Sequence, residues 1–200
     1  MTAAASIKAA LRAEMRRRRR AVPAATRVRV ANAICERLLE LPLGGVVAVY
    51  LAGADEIDLS SFLSAAAARG VRLLAPRWTG EMYALADLDG LTSAHVRVGP
   101  HGILEPRQPF RGANAAEAAR LTTAWLVPGL AFARDGGRLG YGGGWYDRLL
   151  AAADPKAQTL GIAHEFQLVE ELPSEPHDRR LSGVVCASGL VAAKGDGDRG

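Results

Sequence analysis

The sequence predicts an α/β fold: a three-layer α/β/α sandwich with an open, mainly parallel sheet and helices at its amino terminus. Short apolar segments rich in β-branched residues recur along the chain, and GVVAVYL, which ends at Leu51, is typical of them. Such segments suit strands that are buried on both faces of a parallel sheet. Segments with helical signals separate them, and strands that alternate with helices indicate βαβ units.

Two helices are predicted before the first strand. Ile7, Leu11 and Met15 recur every four positions, which predicts one apolar stripe along a first helix. A second helix is expected after Pro23, because proline is tolerated in the first turn of a helix. The predicted buried side of this second helix holds Val30, Ile34, Leu38 and Leu41.

The first βαβ unit begins at the GVVAVYL strand. Asp58 is placed to cap a helix that runs to Arg69, Gly70 ends that helix, and VRLLAP follows as a second strand. The pattern returns as a strand TAWLVPG, a glycine-rich loop, a helix from about Trp145 to Ala153, a strand TLGIA and a late strand LSGVVCA. Right-handed crossovers then bring the functional loops to the carboxyl ends of the strands.

Two stretches lack regular patterns. Residues 79–119 are interrupted by proline and glycine, so only irregular connections around a short strand or two are expected there. The domain prediction is a single α/β domain over residues 1–189, followed by a disordered tail over residues 190–200.

Composition limits the class of protein. The 200 residues include only two cysteines and no CxxC pair, so neither a disulfide framework nor a zinc site is indicated, and a cytoplasmic location is expected. No apolar run approaches the ~20 residues of a membrane span, and the amino terminus lacks a signal-peptide pattern. We expect small-molecule partners, no membrane association and a monomer.

The positive charge is local. Residues 1–30 carry nine Lys or Arg and one acid, a balance of +8, which leaves −4 on the rest of a chain with a net charge of +4. A general nucleic-acid-binding face is therefore not expected. Within this segment Lys8 and Arg12 lie one helical turn apart and can point at one ligand. Arg16 to Arg20 must point all around the helix, so we expect them to be solvated.

A glycine-rich segment carries the strongest chemical signal. Residues 136–148 hold six of the 22 glycines and run directly into a predicted helix. Glycines let backbone N–H groups approach phosphate oxygens closely, and Arg138 adds a permanently charged fork, so a polyphosphate is the natural ligand. The spacing matches neither GxxxxGK[ST] nor GxGxxG. A plain flexible turn remains the alternative.

Acidic residues near this segment have two interpretations each. Asp147, in the first turn of the predicted helix, either complements the helix dipole or binds magnesium beside a triphosphate. Glu56 follows the first strand and either caps a helix or serves the site at the carboxyl end of the strand. Asp178 lies in a Pro-rich loop and is compatible with a simple turn.

A longer pattern resembles a known family. The run Val127-Pro-Gly-Leu-Ala-Phe132, followed by Gly137-Arg-Leu-Gly-Tyr-Gly-Gly-Gly-Trp-Tyr-Asp-Arg148, resembles the signature of the 5-formyltetrahydrofolate cyclo-ligase family. Weaker landmarks occur in the same order from Lys8 to about Val185. The resemblance implies an α/β/α fold and an ATP- and Mg²⁺-dependent enzyme. Its reaction would close 5-formyltetrahydrofolate to 5,10-methenyltetrahydrofolate through a phosphorylated formyl group, with release of ADP and phosphate.

The resemblance also implies roles for individual residues. ATP would be bound by Lys8, Arg12, Arg138, Leu139, Gly140, Tyr141, Gly142, Gly143, Gly144, Trp145 and Tyr146. Leu51, Glu56 and Trp145 would contact the folate, and Asp147 and Asp178 would hold magnesium. Lys8 and Arg138 are the expected catalytic charge stabilisers. The chain departs from the family pattern at Ala133, Trp145 and Ser182.

Two other classes of function stay open. The arginine run would suit a nucleic-acid-binding relative of the family, since such runs contact phosphates. Another ATP-dependent small-molecule enzyme could use the same scaffold. Formation of the methenyl product from 5-formyltetrahydrofolate separates the cyclo-ligase from both.

Overall fold

The computed structural model describes residues 3–173 and 178–193. Five helices occur in these ranges: α1 (Ala3–Arg20), α2 (Ala24–Glu40), α3 (Ser60–Ala68), α4 (Ala115–Leu121) and α5 (Trp145–Ala151). Short 3₁₀ turns span Pro100–Gly102 and Glu165–Gln167. The strands are β1 (Val46–Ala48), β2 (Arg72–Trp78), β3 (Tyr83–Asp87), β4 (Val96–Val98), β5 (Leu104–Pro106), β6 (Ala124–Val127), β7 (Ala131–Ala133), β8 (Arg138–Leu139), β9 (Gln158–Ile162), β10 (Leu168–Val169), β11 (Gly183–Cys186) and β12 (Gly189–Ala192).

A seven-stranded sheet forms the middle layer, in the order β12-β11-β9-β6-β1-β2-β3. Its five central strands are parallel, and the edge strands β3 and β12 are antiparallel to their neighbours. Val47 and Val49 face one side of the sheet and Ala48 faces the other. The first side packs against α2 and α3, and the second against α4 and α5. The predicted three-layer α/β/α arrangement is therefore confirmed.

Helix α1 lies outside these layers. Its Met15 packs with Leu130 and Leu139 on a small sheet of order β10-β7-β8. The apolar stripe predicted for this helix is wrong at Ile7, which is 55% exposed, whereas Lys8 is buried. The buried face of α1 is turned toward the glycine-rich segment and carries cations as well as apolar residues.

Several boundaries differ from the predictions. Residues 79–119 contain β3, the β4–β5 hairpin and most of α4, so this stretch is more regular than expected. Its strands are short or at a sheet edge, where an alternating apolar pattern is weak. The tail does not begin at residue 190, because residues 190–192 pair with β11 as part of β12. Residues 194–200, also assigned to the tail, lie outside the described residues.

The helix signals were otherwise informative. Helix α2 begins at Ala24, directly after Pro23, and Val30, Ile34 and Leu38 are buried as predicted. Helix α3 begins at Ser60, whose backbone N–H donates to the Asp58 carboxylate at 2.9 Å. No helix within the described ranges is long and apolar enough to cross a membrane.

A buried carboxylate fastens the edge strand β3. Asp87 is 2% exposed and accepts hydrogen bonds from Arg72 Nε at 2.7 Å and from the backbone N–H of Arg111 at 2.6 Å. Burial raises the pKa of Asp87, but the hydrogen bonds and charges of Arg72 and Arg111 lower it by more than burial raises it. The pKa of Asp87 therefore lies below its usual value. Such a group stabilises the fold above its unfolded pKa, and the stabilisation is lost as pH falls through the folded pKa.

We predict that Asp87→Asn lowers the free energy of unfolding at pH 7 by about 2–3 kcal/mol, because the amide cannot accept the same charged hydrogen bonds. Urea denaturation should show this difference shrinking below about pH 4, where the wild-type carboxylate also becomes protonated. Asp89→Asn is the control, because Asp89 pairs with Arg111 but its side chain is 37% exposed. A loss of equal size in both variants would contradict the account.

Candidate active site

The glycine-rich loop connects β8 to α5 at the carboxyl ends of the central strands. Gly142 and Gly144 have φ angles of +110° and +63°, in the region that disfavours a side chain. None of the five backbone N–H groups of Gly140–Gly144 donates a hydrogen bond to another described residue. Free amides on a glycine backbone form a concave donor surface that suits an anion.

A cavity of about 140 Å³ lies along this loop. Its lining contains every residue predicted for the nucleotide and the metal: Lys8, Arg12, Arg138, Leu139, Gly140, Tyr141, Gly142, Gly143, Gly144, Trp145, Tyr146, Asp147 and Asp178. Helix α1 contributes Lys8 and Arg12, 126 or more positions away from Arg138 in the sequence order, so the fold brings the cations together. The proximity of these residues was predicted, and their roles stay predictions.

Polar contacts hold the three cations of this cavity in place. Lys8 Nζ lies 3.1 Å from Asp178 Oδ2, and Arg12 Nε donates to the carbonyl of Gly140 at 3.0 Å. Arg138 Nη2 donates to Asp147 Oδ1 at 2.8 Å, while the buried Arg138 Nε has no acceptor within the described residues. A buried donor without a partner is costly, so an anionic ligand that supplied an acceptor would be favoured here.

The acidic side chains of this cavity fit a magnesium ion only if a nucleotide supplies further ligands. No group of three or more His, Cys, Asp or Glu side chains in the described parts of the chain is placed to hold a metal by itself. Asp147 and Asp178 nevertheless line the same cavity. Magnesium is commonly bound through one or two carboxylates plus substrate phosphates, and this pair matches that pattern.

A second cavity, of about 440 Å³, adjoins the first and is mainly apolar. It contains all three residues predicted for the substrate, Leu51, Glu56 and Trp145. Tyr141, Gly143, Trp145 and Tyr146 line both cavities. One loop therefore forms the common wall of a polar cavity and an apolar cavity.

An aromatic cluster surrounds Trp145. Trp78 and Tyr83 meet the Trp145 ring edge-on, with centroid distances of 5.3 and 5.4 Å, and Arg148 lies 4.2 Å from its centroid. Because the guanidinium covers one face of the indole, only the other face can stack on a ligand. Sequence analysis did not single out Trp78, Tyr83 or His101, which come from β2, β3 and the turn before β5.

Glu56 is fixed by two donors. Its Oε2 accepts from the backbone N–H of Gly53 at 2.8 Å, and its Oε1 accepts from the Tyr141 hydroxyl at 2.5 Å. Burial, reinforced by the charge of Glu56, raises the pKa of Tyr141, so its hydroxyl stays protonated and acts as the donor. The carboxylate that sequence analysis assigned to the folate is thus tied to the glycine-rich loop.

The arginines at the end of α1 were predicted to be solvated, but they differ in exposure. Arg19 is 5% exposed and donates to the Tyr141 hydroxyl at 2.6 Å, whereas the Arg17 side chain is 71% exposed and pairs with Glu14. The expectation that all five are solvated is wrong at Arg19. Its position four residues after the buried Met15 was the available signal, because such spacing places two side chains on one helix face.

The fold and these cavities define the class of protein: an α/β fold with two adjoining cavities that share one loop at the carboxyl ends of a parallel sheet. The family model described as the 5-formyltetrahydrofolate cyclo-ligase family matches residues 4–187. The chain belongs to this family, as the resemblance in the sequence indicated.

Individual relatives agree with this assignment. The chain is 32% identical over 198 residues to the 5-formyltetrahydrofolate cyclo-ligase of Mycolicibacterium smegmatis, an alignment that covers 94% of this chain and 97% of the relative. It is 31% identical to the Escherichia coli K12 enzyme of the same name, over 87% of this chain and 97% of that one. The NMR structure of Aquifex aeolicus 5,10-methenyltetrahydrofolate synthetase superposes with a TM-score of 0.78 at 29% identity, covering 94% of this chain and 93% of that one.

Proposed function

We propose that this protein uses ATP and Mg²⁺ to convert 5-formyltetrahydrofolate to 5,10-methenyltetrahydrofolate, with release of ADP and phosphate. The observation that carries the proposal is the wall shared by the two cavities, formed by Tyr141, Gly143, Trp145 and Tyr146. A triphosphate in the polar cavity and a folate in the apolar cavity would be neighbours. The names of the relatives support the same reaction.

The nucleotide would bind through charge and free amides. Lys8, Arg12 and Arg138, which line the polar cavity, would surround the phosphates. The backbone N–H groups of Gly140–Gly144 would add further donors. Asp147 and Asp178 would hold Mg²⁺, which neutralises phosphate charge when it is bound.

The folate would bind through one carboxylate and flat apolar surfaces. Glu56 would accept hydrogen bonds from the N–H edge of the pterin, since an ionised carboxylate is an acceptor only. Leu51 and the open face of Trp145 would contact the ring. Tyr83 and Trp78 would hold the indole at its edges.

The chemistry would solve a leaving-group problem. Closure onto N10 must expel the formyl oxygen, which leaves poorly by itself. Transfer of the γ-phosphoryl group from ATP to that oxygen gives an imidate-type phosphate. N10 then attacks the formyl carbon and loses its proton, and phosphate departs with the oxygen. Lys8 and Arg138 would stabilise the developing charge, which positioning and electrostatics can do without a protein nucleophile.

The experiment that tests the proposal is an absorbance assay at the methenyl-folate band with the purified protein. Product should form only when 5-formyltetrahydrofolate, ATP and Mg²⁺ are all present. Failure to form product with all three would reject the proposed function. One observation speaks against the nucleic-acid alternative: Arg19 is buried, so the arginine run is not a continuous solvent-facing surface.

We predict that Asp147→Asn lowers turnover at limiting Mg²⁺ more than about tenfold, because a neutral amide is a poorer ligand for a hard cation. Excess Mg²⁺ should recover part of the loss. The measurement is turnover against Mg²⁺ concentration, with Asp89→Asn as a control outside both cavities. An unchanged Mg²⁺ requirement would reject the metal role of Asp147.

We also predict that Lys8→Ala raises the KM for ATP or lowers turnover at least about tenfold, through loss of a charged phosphate contact. Arg17→Gln is the matched control, because it removes a cation from the exposed face of the same helix. It should change turnover less than about twofold. Steady-state kinetics with varied ATP at saturating folate decide the matter, and equal effects of the two variants would contradict the assignment of Lys8.

A further inference from the structure

A buried arginine of helix α1 contacts two segments that line the apolar cavity, the loop after β1 and the glycine-rich loop. Arg19 Nε donates to the backbone carbonyl of Asp55 at 2.7 Å, and its Nη1 donates to the Tyr141 hydroxyl at 2.6 Å. No carboxylate of the described residues lies within ion-pair distance of its guanidinium. A buried charge requires compensation, which must here come through an intermediate group.

The Tyr141 hydroxyl is that group. Arg19 can only donate, so the hydroxyl accepts from it and its own proton must point to Glu56 Oε1, 2.5 Å away. The three side chains form a hydroxyl-bridged ion pair with one direction of donation, from Arg19 through Tyr141 to Glu56. The second carboxylate oxygen of Glu56 is held by the backbone of Gly53.

We call the chain of hydrogen bonds from Arg19 through Tyr141 to Glu56 the relay. Its position links the two cavities. Tyr141 belongs to the loop that lines both, while Glu56 and Arg19 line the apolar cavity. A displacement of the glycine-rich loop therefore moves the donor that orients Glu56. A carboxylate that must meet a flat N–H edge needs a fixed plane, because hydrogen bonds weaken when they are misaligned.

We propose that Arg19 and Tyr141 are positioning residues for Glu56, and that through them nucleotide on the glycine-rich loop strengthens folate binding. This inference rests on the proposed function for the identity of the two ligands. Phosphates that engage the free amides of the loop fix Tyr141, and Tyr141 fixes the carboxylate. By linkage, folate must strengthen nucleotide binding by the same factor.

The central variant is Tyr141→Phe, which keeps the ring beside Arg19 and removes only the hydroxyl. We expect the KM for folate to rise about five- to tenfold, and the affinity for a non-hydrolysable ATP analogue measured without folate to change less than about threefold. The double variant Tyr141→Phe with Glu56→Gln should be no worse for folate than Glu56→Gln alone, since both changes break one chain.

The positioning role of Arg19 is tested by two substitutions, one that removes its charge and one that keeps it. Arg19→Gln should raise the KM for folate, and Arg19→Lys should recover part of the loss because it keeps a charged donor. Arg17→Gln is the control on the exposed face of α1. Thermal melting of each variant separates loss of fold from loss of positioning, and Tyr141→Phe keeps the test valid if an Arg19 variant does not fold.

The coupling between nucleotide and folate binding is measured directly by titrating 5-formyltetrahydrofolate into the protein with and without a non-hydrolysable ATP analogue. Wild type should bind folate at least about threefold more tightly with the analogue, and Tyr141→Phe should lose most of this factor. If the wild type forms no methenyl product, the proposed function fails and the relay fails with it. If the wild type turns over but Tyr141→Phe keeps its folate KM and its coupling within twofold of wild type, the relay alone is rejected.

Discussion

The site depends on the docking of one cationic helix face against a glycine-rich loop. Along α1, Lys8 contacts Asp178, Arg12 and Arg16 donate to carbonyl oxygens of the loop, and Arg19 donates to Tyr141. Apolar packing of α1 on the small sheet supplies the non-directional part of the attachment. Without this helix the loop would lack the wall that carries most of its positive charge.

Under the proposed function, the same loop would let two dissimilar cavities serve one reaction. The amides of its glycines have no acceptor among the described residues, and Trp145 and Tyr146 at the start of α5 line both cavities. Phosphoryl transfer requires an acceptor beside the γ-phosphate, and a triphosphate and a folate bound on either side of this wall would be neighbours without a large movement. The parallel sheet fixes this meeting point at the carboxyl ends of its strands.

Much of the fold and of the candidate site could be predicted from the sequence. The central strands are apolar and β-branched, and the glycine-rich segment has an unusual composition. The small sheet β10-β7-β8 could not be predicted, since strands of two or three residues carry no periodic signal. The aromatic partners of Trp145, Trp78 and Tyr83, could not be predicted either, because they lie on other elements. Arg19 shows the limit of the arginine run as a signal, because the run alone predicts solvated side chains. Only its spacing from Met15, together with tertiary packing, distinguishes Arg19 as the buried one.

The central claim is that the formyl oxygen leaves as part of a phosphate, and isotope transfer tests it most directly. 5-Formyltetrahydrofolate labelled with ¹⁸O in the formyl group would be turned over with ATP and Mg²⁺. The released inorganic phosphate would then be analysed by mass spectrometry. The account predicts one ¹⁸O atom in each phosphate, because the C–O bond breaks and the P–O bond to the label persists. Label recovered in water, with unlabelled phosphate, would contradict it.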